Sequence, residues 1–199
     1  MGERRKEIRR ALQLDAGVMV SFKVGSEVRL REFTPEDAGA VFEAVIANRG
    51  HLSPFMHWMT PGYSIDSAKA FIQQAIEKRA ARKSLSLGIF RGERFIGSIG
   101  FVYFDWAAGK AEIGYWISAD EEGKGIVTAS ARVLIDFAFR ELELNRIEIR
   151  CSSENSRSAA IPQRLGFTRE GLLRMAEFRN GRLHDFEIYG LLASEWEGV

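Results

Sequence analysis

The sequence predicts a mixed α/β (α+β) fold built around an antiparallel meander. Three observations point to it. Apolar positions alternate between period-2 and period-3.6 stretches through the middle of the chain. Three strand-like runs, "SLSLGIF", "RFIGSIGFVYF" and "AEIGYWI", follow one another with only tight turns between them, at Arg91-Gly92-Glu93 and near Ala107 to Gly109. Directly after the third run, "EEGKG" leads into an amphipathic helical pattern.

In chain order, residues 1–17 are a charged arm with a short amphipathic pattern, Ile8 and Leu12 on one side and Arg4, Arg5 and Arg9 on the other. It reads as a solvated arm or as a dimer contact. Residues 18–199 read as a single domain. "VMVSFKV", a Gly25-Ser26 turn and "VRLREF" are two strands. Thr34-Pro35-Glu36-Asp37 opens a helix, with an N-cap, a proline at the first position and acids in the first turn. The loop "NRGHLSPFMHWMTPGY" precedes a second helix carrying Ala68, Phe71, Ile72, Ala75 and Ile76. After the meander, Val127, Ala131, Leu134 and Ala138 mark the buried face of a third helix. "NRIEIRC" is a strand with Ile147, Ile149 and Cys151 on one face and Glu148 and Arg150 on the other. "SENSRSAAIPQRLGF" holds a short helix, and two last strands flank Asn180-Gly181, a strong hairpin signal.

Bulk properties exclude several classes. The chain has 199 residues, enough for one sizeable core, and its 46% hydrophobic and 28% charged content is that of a soluble globular protein. A net charge of +1 supplies no global field toward nucleic acid or an anionic membrane. Cys151 is the only cysteine, which excludes an internal disulfide and fits a reducing, cytoplasmic setting. No apolar run approaches the ~20 residues of a membrane-spanning helix. The basic start is followed by a short apolar stretch and Lys23, a poor secretory signal, and Lys6 breaks the myristoylation pattern. No metal site is expected.

The glycines of "EEGKG" stand where a helix begins, although glycine costs a helix roughly 1 kcal/mol against alanine. A helix N-terminus has unpartnered N–H groups and about half a positive charge. Glycines let an anion approach that backbone closely, so the loop has the chemistry of a diphosphate cradle. A plain tight turn explains the same residues. The Walker ending is missing, and an antiparallel meander is not the opening βαβ unit of a dinucleotide-binding fold.

Taken together, "AEIGYWI…EEGKGIVTAS", "FRELELNRIEIRC", "ENSRSAAIPQRLGF", "EGLLR" and "HDFEIYGLL" resemble the GNAT acetyltransferases, most closely the branch that acetylates the N-terminal α-amine of ribosomal proteins. The resemblance spans Val28 to Trp196. It implies a mostly antiparallel sheet with splayed central strands, 111–117 and 146–151, and helices on both faces. It implies acetyl-CoA as co-substrate, with its diphosphate on the backbone of Glu122, Gly123, Lys124, Gly125, Ile126, Val127 and Thr128. Its pantetheine arm would pair with "IGYWIS", which brings in Ile117 and Ser118. The broad family has Gln or Arg at the position of Glu122, so that side chain is expected to turn away from the diphosphate. A homodimer or higher homo-oligomer, and an amine acceptor, are implied as partners.

Direct acetyl transfer needs a deprotonated amine, a donor for the oxyanion, and a proton or hydrogen bond for the leaving thiolate. In the broad family a tyrosine seven residues after a loop asparagine often serves the thiolate. Counted from Asn155, that position is Pro162, which has no proton to give. In the ribosomal branch a serine three residues after the asparagine serves instead, here Ser158. A helix-start serine satisfying a backbone N–H is the plainer reading. The branch points to Glu177 as base, where apolar Met175, Ala176 and Phe178 would raise its pKa. A surface glutamate paired with Arg182 across the strands is the alternative. His184 is the competing base, with Asp185 expected to hold it charged. Asn155 bonds the cofactor arm or caps the helix, and Arg164 reaches the cofactor phosphates or forms a salt bridge. His51 and His57 are read as non-catalytic and Cys151 as inert packing. Leu52, Phe55 and Trp58 either wall the acceptor pocket or belong to a core. The acceptor is expected to be a protein N-terminus. A small amine such as an antibiotic or polyamine, and a catalytically idle acetyl-CoA-binding interaction protein, are the alternatives.

Overall fold

A computed structural model describes residues 19–198; the N-terminal arm, with its expected amphipathic helix, lies outside them. Eight strands form one sheet: β1 (Ser21–Val24), β2 (Val28–Glu32), β3 (Leu85–Arg91), β4 (Arg94–Asp105), β5 (Lys110–Ile117), β6 (Arg146–Ser152), β7 (Thr168–Arg179) and β8 (Arg182–Leu192). Their order is β1-β2-β3-β4-β5-β6-β8-β7, antiparallel everywhere except between β5 and β6. The helices are α1 (Ala38–Ala47), α2 (Arg49–Leu52), α3 (Ile65–Ala80), α4 (Ile126–Arg140) and α5 (Ser156–Arg164). The strand expected over 18–24 is shorter, and the first turn of the helix opened by Pro35 is 3-10, Pro35–Asp37. Asp37 takes up both Arg31 nitrogens at 2.7 Å and the Thr34 N–H at 2.8 Å, which fixes that turn.

Two apolar layers lie on opposite faces of the sheet. One joins Leu30, Leu87, Ile99, Phe101 and Ile113 to Ala131, Leu134, Ile135 and Ala138 of α4. The other joins Phe33, Phe90 and Phe95 to Val41 and Val45 of α1 and to Ala68 and Ile72 of α3. Burying a side chain such as Leu134 or Ile135 contributes about 1.5–3 kcal/mol. The apolar stripe of α4 therefore outweighs the cost of its glycine start.

The pairing of β5 with β6 stops after three residue pairs, Lys110 with Arg146, Ala111 with Ile147 and Glu112 with Glu148. Beyond them β5 keeps β4 as its neighbour through Ile117, and β6 keeps β8 through Ser152. The two central strands thus splay, and residues 113–117 present a free backbone edge to the gap.

Candidate active site

The gap opens toward the loop between β5 and α4. Gly123 and Gly125 adopt left-handed backbone, with φ of 72° and 74°. Side chains resist that region by about 1–2 kcal/mol, which accounts for glycine as a turn residue. Two further observations go beyond a turn. Nothing lies within 4 Å of where a Cβ would stand on either glycine. Among the described residues, the backbone N–H groups of 123–128 have no acceptor. The loop is therefore a concave, open run of donors at the positive end of a 15-residue helix. These residues fit a diphosphate.

Side chains around the loop leave that backbone uncovered. Ile126 and Val127 are buried in the core, so only their N–H groups face outward. Lys124 bonds the buried Glu121 at 3.1 Å, and Arg91 meets the same carboxylate at 3.1 Å. Glu122 lies between Arg157 at 2.6 Å and His51 at 3.5 Å. Its charge is thus offset by the Arg157 guanidinium. Ser118 is buried; its N–H donates to Ile96 O at 2.8 Å and its hydroxyl accepts from Asn48 Nδ2 at 3.3 Å. The N–H is thus committed within the sheet, while the hydroxyl keeps a proton to donate and the far edge of Ile117 remains open to the gap.

On the α4 face of the gap stand Ser158, Tyr115 and Cys151. Asn155 caps α5 by accepting the Ser158 N–H at 3.0 Å. The Ser158 hydroxyl is therefore not spent on the helix start. It donates to the Tyr115 oxygen at 3.3 Å, and the Tyr115 hydroxyl donates to the Ser158 carbonyl at 3.0 Å. Burial raises the Tyr115 pKa above its ordinary value and pushes the Cys151 thiol up to about 11, so both keep their protons near neutral pH. Arg164 is exposed on the last turn of α5 and makes no salt bridge among the described residues.

On the opposite face stands Glu177. Its cross-strand partner is His184, whose side shares the face of Phe186 and Ile188 by strand alternation. A bulge shapes β7 here: Leu173 pairs with Phe186 and Glu177 with His184, so residues 174–176 oppose Asp185 alone. Met175 takes φ 53°, and its N–H donates to Asp185 at 2.8 Å. This corrects the expected surroundings of Glu177. Met175 and Phe178 are thrown outward, 69% and 68% exposed, and do not enclose the carboxylate. Nor does Glu177 pair with Arg182, which turns to Glu154 at 2.9 Å. Its partners are Arg179 on the same strand and His57 Nδ1 at 3.3 Å. Arg179 is buried; one nitrogen serves Glu177, and Nε and Nη2 have no acceptor among the described residues.

His184 is buried in the hairpin, with Nδ1 3.1 Å from Glu154 and Nε2 3.2 Å from the Arg179 carbonyl. Its carboxylate neighbour is Glu154, not the expected Asp185, which is engaged by Met175. Of the acceptor-loop residues, Leu52 is core, while Trp58 packs on Tyr63 and Trp116. Asn180 ties the hairpin to that loop through Ser53 O at 2.9 Å.

The structure thus brings Asn155 and Ser158 together beside the gap and the 122–128 loop at its mouth. Glu177 is on the other face, and no hydrogen bond joins it to Ser158 among the described residues. Two residues escape the sequence reading, Tyr115 and Arg179, and His57, read there as non-catalytic, meets Glu177. Tyr115 carried a signal, being the one polar tip between Ile113 and Ile117 on an inward strand face.

Known proteins resemble this chain in sequence and fold. Residues 27–168 match the description "Acetyltransferase (GNAT) domain". YdaF of Bacillus subtilis (strain 168) is 37% identical over 181 residues, covering 90% of this chain and 99% of that protein. The RimL ribosomal L7/L12 α-N-protein acetyltransferase, solved with coenzyme A, superposes with a TM-score of 0.84 at 25% identity, covering 88% of this chain and 99% of that one. The microcin C7 self-immunity acetyltransferase MccE, solved with acetyl-CoA and AMP, gives a TM-score of 0.82 at 31% identity, covering 86% and 95%. The chain belongs to the GNAT family and is an acetyl-CoA-dependent N-acetyltransferase.

Proposed function

We propose that the chain transfers acetyl to the N-terminal α-amine of a protein, such as a ribosomal protein, by direct attack within a ternary complex. The observation that supports this reading is the placement of Ser158 and Glu177 on opposite faces of the sheet where β5 and β6 part. Acetyl-CoA, when bound, supplies the thioester carbonyl that the amine attacks. The 122–128 backbone holds its diphosphate, and the free edge of 113–117 aligns its amide-bearing arm. Glu177 accepts the amine proton from the acceptor side, and the Ser158 hydroxyl gives a hydrogen bond to the departing thiolate. A residue nucleophile is not needed, because positioning alone brings the two reactants together.

Similarity to RimL supports this acceptor class. Similarity to MccE keeps a small amine as the competing outcome. Action in the cytoplasm belongs to this reading.

Ser158→Ala is expected to lower kcat roughly 10²-fold, the scale of one general-acid contact, and to leave acetyl-CoA affinity nearly intact. Stopped-flow turnover beside calorimetry checks both numbers. Equal losses in the two would make Ser158 a cofactor ligand or a structural residue.

A homo-oligomer is also part of the proposal. The described apolar residues of the first strand do not support it as expected: Val20 and Val24 are in the core, and Met19 is well exposed. The last hairpin does, because Leu172, Leu173, Met175, Phe178 and Leu183 are exposed on the edge of the sheet. Sedimentation at micromolar concentration is expected to show a species larger than the monomer, and a pure monomer would refute this part.

A further inference from the structure

We infer that Tyr115 is a positioning residue for Ser158, holding its hydroxyl at the β5–β6 gap by a reciprocal pair of hydrogen bonds. The inference rests on the proposed role of Ser158. Three features of the fold lead to it.

The first is the helix itself. In an α-helix the carbonyl of residue 158 looks to the N–H of residue 162. That residue is Pro162, inside α5, and proline has no N–H. The Ser158 carbonyl is left needing a donor, and the Tyr115 hydroxyl supplies it at 3.0 Å. The second is the strand. Tyr115 lies between the buried Ile113 and Ile117 on β5, where only its ring is required for packing. Both of its hydrogen bonds go to one residue, Ser158. The third is completeness. The N–H of Ser158 is held by Asn155, and its carbonyl and hydroxyl are both held by Tyr115. A serine fixed at all three polar groups has lost the rotamer freedom that would otherwise scatter its hydroxyl.

No proton leaves Tyr115 in this role. Burial keeps its phenol protonated through the working pH range. As charge develops on the sulfur, the Ser158 O–H turns from the Tyr115 oxygen to the thiolate. The phenol, still bonded to the Ser158 carbonyl, keeps the residue in register. The oxygen of Tyr115 thus serves as the parking place for a hydrogen bond that the reaction uses.

Tyr115→Phe keeps the ring and removes only the hydroxyl. It is expected to lower kcat about tenfold, the scale of one hydrogen bond. The KM and the calorimetric Kd for acetyl-CoA should stay within about twofold, while the melting temperature falls by a few degrees because the Ser158 carbonyl loses its donor. The double variant Tyr115→Phe/Ser158→Ala is expected to be no slower than Ser158→Ala alone, because one residue acts through the other. A slow Ser158→Ala beside a wild-type Tyr115→Phe overturns the inference while leaving the role of Ser158 standing. So do multiplicative losses in the double variant. Acetyl-CoA affinity falling together with kcat also overturns it, by marking Tyr115 as structural. Wild-type turnover in Ser158→Ala defeats the role of Ser158 itself, and the inference with it.

Discussion

Gly125→Val is expected to raise the Kd for acetyl-CoA by tenfold or more. Two effects add. At φ 74° a β-branched side chain is strained, at a cost of about 1–3 kcal/mol. The new side chain also fills the open space beside the unpartnered N–H groups of 123–128, where the diphosphate approaches the backbone. Gly125→Asn separates the two. Asparagine tolerates left-handed backbone far better, so its melting temperature should stay near wild type while its acetyl-CoA affinity still falls. The contrast with Gly97 and Gly100 in β4 is instructive, since a Cβ there would run into backbone atoms of the neighbouring strands. Those glycines serve close strand packing, and the loop glycines face open space. Calorimetry showing wild-type affinity in Gly125→Val would remove the 122–128 loop from the cofactor site.

Glu177→Gln is expected to lower kcat roughly 10²-fold or more near neutral pH, within the range of general-base catalysis. An α-amine has a pKa near 8, so a minority is already unprotonated at pH 7. The loss should therefore shrink as pH rises and the amine deprotonates unaided. Acetyl-CoA affinity should be unchanged, because Glu177 lies on the face away from Ser158. His184→Gln is expected to behave differently. Both imidazole nitrogens already face oxygen acceptors, Glu154 and the Arg179 carbonyl, so neither has a lone pair directed at an amine. Its replacement should lower the melting temperature and spare the pH dependence of kcat. If Glu177→Gln keeps the wild-type profile and His184→Gln loses it, the base is His184.

The elements with local signals were legible in the sequence. The Asn180-Gly181 turn has both residues at positive φ, 50° and 78°, as a two-residue hairpin demands. The stripe Val127, Ala131, Leu134 and Ala138 is buried as its spacing requires. What the sequence hid depends on long-range contact. The bulge at 174–176 turns on Met175, a residue with no turn signature, and it reverses the expected setting of Glu177. His57 meets Glu177 and Tyr115 meets Ser158 across wide stretches of chain, set by sheet order and not by spacing. The splay of β5 from β6 is a register fact between strands separated by α4, and no local pattern writes it. The 122–128 loop falls between these cases. Its glycines are visible, but their meaning rests on the open space above them.

The most direct test of the account is to incubate the enzyme and acetyl-CoA with N-terminal peptides of ribosomal proteins beside a set of polyamines and amino-bearing antibiotics. Each product is then scored by mass and by the site of modification. A peptide is expected to gain one acetyl group on its α-amine, with none on lysine side chains and one free CoA thiol released per acetyl transferred. Acetylation confined to the small amines, or CoA release without any acetylated acceptor, would contradict it.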